Sequence, residues 1–423
     1  MRIDKLHIKN FKCFADNDFV FNKQFNALIG DNGKGKTAIL DAISVAAGSY
    51  FLGIDERDAR GIYKNEIRRE NYGTSIELQF PTIIDATGII DNKTINWRRS
   101  VENAKNSTTR KDAIEIMQFA KSNTKTVRSN KPTVLPLISY YGTGRLWKEG
   151  RRANAIFSLS SRLSGYKYCL EPNSNSKMLL DWFKTMEIST LQKGGFEKGY
   201  LDTVKKAVSG CIEGWDGVFY DIREDDLMGF KGKGKKDFLP FKLLSDGQRN
   251  VIGLIADIAI RCVTLNPHLK EEATRLTNGI VLIDELDLHL HPNWQKRIVE
   301  DLKRTFPKIQ FFVTTHSPFI VQSLKNDELI NLDAEHDMEY YKHSIEEIAE
   351  TMGVEDVERS QKFKEMTKAA EEYYNLIRIG KSTKKHKEVA FIKKQLDDLL
   401  ILFDDDPTYV ALLKAERQSE LQE

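Results

Sequence analysis

The feature that most constrains the fold is a glycine-rich segment between an apolar strand and an apolar helix. Residues 30–37 read Gly-Asp-Asn-Gly-Lys-Gly-Lys-Thr and match GxxxxGK[ST], the Walker A pattern. Residues 25–29 before it are typical of a short buried strand, and we expect a helix from residue 36 to about residue 47. Strands and helices alternate along the chain, which predicts an α/β core with a largely parallel sheet.

The residue types in this loop suit the phosphates of a nucleotide. Glycines let successive backbone N–H groups point at phosphate oxygens, and the helix N-terminus adds a positive dipole end. We expect Lys36 to reach the β and γ phosphates and Thr37 to hold Mg²⁺ through its hydroxyl. The predicted nucleotide-binding residues of the loop are Asp31, Asn32, Gly33, Lys34, Gly35, Lys36, Thr37 and Ala38. The alternative, a glycine-rich turn that matches by chance, is disfavoured by the strand and helix on either side.

An apolar strand that ends in two acids lies further along the chain. Residues 280–285 read Ile-Val-Leu-Ile-Asp-Glu, which is the Walker B pattern. We expect Asp284 to bind Mg²⁺ directly or from its second coordination sphere, and Glu285 to polarise the attacking water. His316 follows another apolar strand, at the end where ligands bind in open α/β sheets, and is a candidate contact for the γ-phosphate. Taken alone, a solvated acidic turn and an ordinary surface histidine are the alternatives.

A third motif lies between these two, at residues 244–248. The sequence Leu-Ser-Asp-Gly-Gln differs at one position from LSGGQ, the signature of ABC ATPases, and precedes a predicted helix from residue 246 to about residue 265. Ser245 is expected to cap this helix and to donate a hydrogen bond to phosphate. A simple capped helix start is the alternative, and the position between the two Walker motifs argues against it.

The order of the motifs resembles that of a known group of proteins. After Walker A, the signature and Walker B come an aspartate-bearing loop at residues 286–292 and a Thr-His-Ser-Pro segment at residues 315–318. Together with residues 8–14, this order resembles the soluble ABC ATPases of the RecF, SMC and OLD group, which act on DNA or in antiphage defence. The resemblance covers residues 1 to about 324, apart from an insertion near 101–131. It implies an ABC ATPase head, in which helices flank a mixed, largely parallel sheet.

The resemblance also implies how nucleotide is bound. In these ATPases the signature closes over the γ-phosphate of ATP bound to a second subunit, which implies a homodimer with two composite sites, or a higher oligomer. It further implies that Gly247, Gln248 and Asp287 contact nucleotide together with Ser245. ATP and Mg²⁺ are the implied cofactors, and ATP hydrolysis is the implied reaction.

A narrower resemblance is carried by residues 140–147 and 162–166. These segments resemble the PtuA-type ATPases of the Septu antiphage systems, which also occur beside some retrons. The resemblance implies a regulatory ATPase whose partner is PtuB-like, an HNH nuclease that degrades DNA. The alternative is a RecF-like DNA-binding ATPase in repair without a nuclease partner. A toxin-like effector with activity of its own is a third hypothesis.

Three departures from the group pattern affect this interpretation. Asp246 stands where the signature has glycine, and we expect its negative charge near a γ-phosphate to slow or gate closure. No clear Q-loop glutamine occurs, so residues 141–145 are the substitute candidates. No long heptad arm separates the two halves, which excludes a rod-like SMC protein.

We expect no nuclease activity in this chain. The acidic cluster at residues 404–406 follows a helix-like run and precedes Pro407, which favours a solvated helix end over a metal site. His289 and His291 are spaced like a pair of metal ligands. In the group, however, the same stretch is a dimer-contact loop, and we favour that function.

Composition limits the class of protein without deciding it. The 423 residues carry a net charge of +2, which does not require a nucleic-acid partner. The four cysteines form no CxxC pair, so we expect reduced thiols in a cytoplasmic protein. Residues 251–265 are the most apolar helical stretch, but charged side chains interrupt them and they are too short to span a bilayer. We therefore expect a soluble protein with no membrane contact.

The domain prediction divides the chain near residue 335. We expect an ATPase head over residues 1–335, with a polar and basic insertion at about 101–131 and a mostly helical subdomain at about 150–240. A helical region at 336–423, which contains Tyr373, Tyr374 and Leu376, is expected to mediate oligomerisation or partner docking. Four basic segments are candidates for contact with DNA or a partner, although each is more often a solvated surface. They are residues 98–99, 145–152, 231–236 and 381–387.

Overall fold

The structure is a computed structural model that describes the following parts of the chain. They are residues 1–55, 59–145, 161–171, 176–192, 198–212, 214–232, 237–333 and 339–354, with separate described positions between 365 and 398. The chain divides into two compact units, Met1–Ile348 and Ala349–Glu423. Several predicted features lie outside the described residues: those at 146–152, 233–236, 373–376, 381–387 and 404–406.

Strands and helices follow one another along the first unit. The strands are β1 (Arg2–Phe11), β2 (Phe14–Val20), β3 (Phe25–Ile29), β4 (Arg69–Tyr72), β5 (Ser75–Leu78), β6 (Thr82–Ile90), β7 (Lys93–Val101), β8 (Leu137–Tyr141), β9 (Gly217–Asp221), β10 (Asp226–Lys231), β11 (Asp237–Pro240), β12 (Gly279–Ile283), β13 (Ile309–Thr314) and β14 (Leu329–Asn331). The α-helices are α1 (Lys36–Gly48), α2 (Ile114–Arg128), α3 (Ser176–Gln192), α4 (Lys198–Gly210), α5 (Asp246–Leu265), α6 (Ala273–Leu276), α7 (Pro292–Thr305), α8 (Pro318–Gln322) and α9 (Ile345–Thr351).

A parallel sheet forms the centre of the first unit. Its strand order is β14-β3-β13-β12-β8, and every neighbouring pair is parallel. The strands β3, β8, β12 and β13 are buried at every position, which is why each reads as a mainly apolar run instead of an alternating one. Because all neighbours are parallel, the carboxyl ends of the strands meet at one edge. The predicted α/β class with a largely parallel sheet is confirmed.

Helix α1 lies between this sheet and a second, antiparallel sheet. The second sheet has the order β2-β1-β6-β7 and contacts α1 through β1, β6 and β7. Since α1 is covered on two sides, its residues are buried from Ala38 to the helix end, as expected for a helix that is apolar all round. The indole N–H of Trp97 on β7 donates to the carbonyl of Ala46 at 3.0 Å and fixes the helix against this sheet. The start of α1, and the loop before it, is thereby held in place.

Helix α2 occupies the segment that the sequence identified as an insertion. Its Ile116 and Ala120 side chains are buried, and Asn123 donates to the hydroxyl of buried Tyr50 at 3.2 Å. The helix therefore packs on the core next to the end of α1. Its apolar side is narrow, which explains why the sequence showed little apolar periodicity there.

The region at about 150–240 contains strands as well as helices. Helices α3 and α4 are followed by an antiparallel sheet of order β11-β10-β9, which the prediction of a mostly helical subdomain did not include. On β9, Val218 and Tyr220 are buried on one face while Phe219 is half-buried on the other. These strands have only five, six and four residues, so their alternation is a weak signal in the sequence.

Helix α5 has the bounds predicted from the signature and the apolar run after it. It is anchored to β8 by a buried network in which Asp257 accepts from the hydroxyl of Tyr141 at 2.6 Å and from the guanidinium of Arg261 at 2.7 Å. Arg261 also donates to backbone carbonyls of the segment before α3. Within the part of the chain that the structure describes, no helix has both the length and the apolar character of a membrane span.

Candidate nucleotide site

The loop between β3 and α1 has the backbone conformation of a phosphate cradle. Gly30, Gly33 and Gly35 have φ values of 141°, 87° and 99°. A Cβ atom on Gly35 would lie 2.5 Å from the sulfur of Cys13 and 2.7 Å from the ring of Phe14, so only glycine fits at this position. The turn between β1 and β2 thus packs directly on the loop and fixes its shape.

The Lys36 side chain folds back across this loop. Its Nζ donates to the carbonyl oxygens of Gly30 at 2.6 Å and Asp31 at 3.0 Å. Burial lowers the pKa of Lys36, and four carboxylates oppose that shift, those of Asp333, Asp31, Asp284 and Glu285. Of the other predicted loop residues, Asp31, Asn32, Gly33, Lys34 and Thr37 are exposed, Gly35 is half-buried, and the side chain of Ala38 is buried in α1. The loop therefore presents its backbone and the ammonium groups of Lys34 and Lys36 to a ligand.

The Walker B acids, Asp284 and Glu285, follow β12 beside the loop. The two carboxylate oxygens of Asp284 accept hydrogen bonds from the Thr37 hydroxyl at 3.1 and 3.2 Å. Two ligands on neighbouring corners of a Mg²⁺ octahedron with metal–oxygen distances of about 2.1 Å lie about 3 Å apart. One hydroxyl and one carboxylate at this separation are a donor set that fits Mg²⁺.

Glu285 stands in a conformation that non-glycine residues rarely adopt. Its φ is 51°, in the left-handed region, which costs about 1–2 kcal/mol. The hydroxyl of Thr314, at the end of β13, accepts from the Glu285 backbone N–H and donates to Asp284, both at 2.7 Å. The Thr314 carbonyl also accepts from the N–H of Leu286 at 2.9 Å. Thr314 therefore sets the position of both acids, a function that no motif in the sequence indicated.

The loop after Walker B is tied to the loop after β13. One carboxylate oxygen of Asp287 accepts from the Thr315 hydroxyl at 2.6 Å and from the His316 backbone N–H at 3.3 Å. The hydroxyl of Ser317 donates to Gln295 at 2.6 Å. His316 is exposed at the same sheet edge as the Walker B acids. The structure thus brings together the predicted phosphate-loop, Walker B and His316 residues, and it uses the Asp287 carboxylate within the chain.

The signature segment forms the start of α5. The Ser245 hydroxyl accepts from the Gln248 N–H at 3.3 Å, and the Gln248 side chain accepts from the Ser245 N–H at 3.1 Å, so the two residues form a capping box. A Cβ on Gly247 would lie 2.1 Å from the carbonyl oxygen of His289, which makes glycine necessary where the helix meets the Walker B loop. Asp246 is exposed and pairs with Arg249, which offsets part of its charge.

Of the candidates at residues 141–145 for the place of the Q-loop glutamine, Tyr141 is buried. Its ring is 4% exposed and its hydroxyl donates to Asp257 on α5, on the side of the sheet away from the Walker B acids. Side chains alternate along a strand, so Tyr140 faces the other way, where burial and the carboxylates of Asp41 and Asp284 raise its pKa. Thr143 is exposed just after β8, and the Arg145 side chain lies outside the described residues.

The two arginines at residues 98–99 have partners within the chain, and Arg98 is exposed while Arg99 is buried. Arg98 makes two hydrogen bonds to Asp85, at 2.5 and 2.7 Å. Arg99 is 2% exposed and donates to the Thr109 carbonyl, and burial lowers its pKa to about 10. Both arginines therefore stabilise the antiparallel sheet and its surroundings.

The histidine pair after Walker B has structural contacts. The ring of His291 accepts from the Asn293 N–H at 3.3 Å and caps α7, and His289 lies against the signature helix through its carbonyl. Among the described residues, no group of three or more His, Cys, Asp or Glu side chains is arranged to hold a metal ion. The interpretation of this stretch as a dimer-contact loop stays a prediction.

A family model described as "AAA domain, putative AbiEii toxin, Type IV TA system" matches residues 25–322. This span includes the phosphate loop, the signature, Walker B and His316. The chain belongs to this family. It is an ATPase, as predicted from the motifs.

Two relatives match most of this chain. The "Retron Ec83 probable ATPase" of Escherichia coli is 27% identical over 406 residues, covering 78% of this chain and 71% of that protein. "Septu protein PtuA" of Bacillus mycoides is 30% identical over 348 residues, covering 80% of this chain and 41% of that protein. These matches confirm the resemblance to PtuA-type and retron-associated ATPases.

A solved structure of an SmcHead bound to the C-winged helix domain of ScpA is also similar. Its TM-score is 0.45 at 18% identity, with 78% of this chain and 94% of that chain covered. The likeness between the two structures is therefore distant.

Replacing Thr314 with valine tests how the Walker B acids are positioned. The variant keeps the side-chain shape but removes the hydroxyl that contacts Asp284 and the Glu285 N–H. We expect kcat for ATP hydrolysis to fall about 10- to 100-fold, with ATP affinity changed far less. The unmade hydrogen bonds should cost about 1–3 kcal/mol of unfolding free energy.

Steady-state ATP hydrolysis and equilibrium nucleotide binding measure both effects. Thr314→Ser, which keeps the hydroxyl, should retain most of the activity. Thr124→Val is the matched control, because it removes another buried threonine hydroxyl, one that bonds only within α2. An unchanged kcat in Thr314→Val would contradict the positioning role.

Proposed function

We propose that this ATPase is the regulatory subunit of an antiphage defence complex. Mg-ATP closes two copies head to head, hydrolysis reopens them, and this cycle controls a PtuB-like HNH nuclease that degrades DNA. The observation that carries the proposal is that the nucleotide loop at residues 30–37 and the exposed signature at residues 244–248 are not in contact within one chain. The names of the relatives, Septu protein PtuA and a retron probable ATPase, support the defence setting.

The signature geometry supports a composite site. Ser245 and Asp246 are exposed at the positive end of α5, whose first N–H groups have few partners within the chain. Among the hydrogen bonds of the described residues, none joins residues 244–248 to the phosphate loop. An anion-binding helix end that points outward suits the phosphates bound by a second copy, which would place two nucleotides in a symmetric dimer.

The residues at the sheet edge suit ATP hydrolysis. Lys36 and the loop amides bind the β and γ phosphates. Ser245 and Gln248 of the second copy's signature contact the γ-phosphate from the opposite side. Thr37 and Asp284 supply the oxygens that would hold Mg²⁺, which neutralises phosphate charge when bound. Glu285 orients and polarises the attacking water, and His316 donates a hydrogen bond to the γ-phosphate.

The remaining parts of the proposal concern partners. We assign the nuclease chemistry to the HNH partner and expect DNA to be contacted mainly through it. The region from residue 336 onward is proposed as the part that docks a partner or a further subunit. Both assignments follow the resemblance to PtuA-type ATPases.

Replacing Glu285 with glutamine is expected to trap the closed dimer. The variant keeps the site's shape but cannot polarise the water, so it should bind ATP, hydrolyse it at least about 100-fold more slowly, and elute as an ATP-dependent dimer. Light scattering coupled to gel filtration, with and without Mg-ATP, measures this. Lys36→Ala is the matched control and should lose ATP binding and the dimer together. A Glu285→Gln chain that binds no ATP would refute the role of Glu285.

The nuclease partner is tested by co-purification. The tagged chain is expressed with its native neighbouring genes, and co-eluting proteins are identified by mass spectrometry. A stoichiometric small HNH protein is the expected result. A chain that elutes alone but binds DNA with a steep dependence on salt concentration would support a RecF-like repair ATPase instead.

A further inference from the structure

A carboxylate from the far end of the first unit lies on the phosphate loop. Asp333 follows β14, and the N–H of Leu332 donates to the carbonyl of Ile29 at 3.0 Å, so the end of β14 runs beside the start of the loop. One carboxylate oxygen of Asp333 accepts from the backbone N–H of Asp31 at 2.5 Å. The other lies 3.1 Å from the Nζ of Lys34.

The negative charge of this carboxylate attracts the ammonium groups of Lys34 and Lys36, which are expected to bind the nucleotide's phosphates. Among the charged groups near Lys36, Asp333 has the largest effect and stabilises its ammonium form. The side chain of Asp333 is 23% exposed, so water screens its field less than that of a surface residue. The Asp333 carboxylate thus contacts Lys34 and the Asp31 N–H and acts through its charge on Lys36, at the loop where polyphosphate oxygens are expected to bind.

We propose that Asp333 is an internal competitor for the nucleotide's phosphates, which lowers the affinity for ATP and which ATP displaces from Lys34. Phosphate oxygens and a carboxylate seek the same donors, and like charges held at one set of cations repel each other. Asp333 thereby sets how much ATP is needed to fill the site. The inference rests on the proposed nucleotide site at residues 30–37.

The position of Asp333 in the chain gives the displacement a consequence. Asn331, two residues earlier, donates to the hydroxyl of Tyr340 at 3.3 Å, and the His343 carbonyl accepts from Gln322 at 2.9 Å. Residues 339–348 are thus fastened to the end of β14 and to α8, after which the chain continues into the second unit. Release of Asp333 from the loop would loosen the end of β14, and with it the contact between Asn331 and Tyr340.

The test is the affinity of Asp333→Asn for Mg-ATP, measured by isothermal titration calorimetry on the full chain at fixed ionic strength. Asparagine still accepts from the Asp31 N–H but removes the charge, so we expect binding to tighten about 3- to 30-fold. Lys34→Gln should weaken ATP binding more in the Asp333→Asn background than in the wild-type chain, because Lys34 is then free for phosphate. Unchanged or weaker binding by Asp333→Asn would overturn the inference.

Asp327→Asn is the matched control. It removes the same charge just before β14, from a side chain that accepts a hydrogen bond from Asn22, and should leave the affinity within about twofold. If Lys36→Ala keeps normal affinity for Mg-ATP, the assignment of the nucleotide site to residues 30–37 is wrong. If Lys36→Ala loses binding while Asp333→Asn is unchanged, only the role of Asp333 fails.

A second measurement applies if Asp333→Asn does not fold. Hydrogen exchange of the wild-type chain is followed for a peptide that covers residues 329–333, with and without Mg-ATP. Displacement of Asp333 should speed the exchange of these amides by about threefold or more, because their contacts with β3 loosen. Equal or slower exchange with Mg-ATP would contradict the proposal.

Discussion

The site depends on one contact, between the carboxylate of Asp284 and the hydroxyls of Thr37 and Thr314. These residues come from three different chain segments, and the contact joins the ends of β12 and β13 to the start of α1. Parallel strands make this possible, because their carboxyl ends reach the same edge. Without the Thr314 hydroxyl, the strained backbone at Glu285 would lose the acceptor that holds it. The arrangement of the Walker B acids is therefore a property of the sheet edge as a whole.

The balance of charge at this edge suits a bound cation together with a polyphosphate. Lys36 lies among the four carboxylates of Asp31, Asp284, Glu285 and Asp333. A metal ion held by Thr37 and Asp284 would balance the phosphates, while Asp333 opposes them. ATP binding is thus set by a competition between anions for a small group of donors. In the proposed cycle, this competition decides when two heads close.

The sequence predicted the parts of the fold that carry motifs, and it missed those that depend on distant contacts. The elements β3, α1, α5, β12 and β13 match their predictions, because long apolar runs and capping residues are local signals. The sheet β9–β11 was not predicted, since short strands gain stability only from one another. Tyr141 was among the candidates at residues 141–145 for the Q-loop position because the strand's end could be predicted but the facing of its side chains could not. Asp333 and Thr314 were missed because their partners are remote; 302 positions separate Asp333 from Asp31.

The most direct test of the central claim, that the site is shared between two copies, is a mixing experiment. Lys36→Ala removes nucleotide binding from one chain, and Ser245→Arg blocks the exposed signature of another without disturbing the buried Gly247. Each variant alone should be inactive in ATP hydrolysis. An equal mixture should recover about a quarter of wild-type activity, because half of the dimers then hold one intact composite site. A mixture as inactive as its components, formed from variants shown to dimerise with each other, would contradict the account.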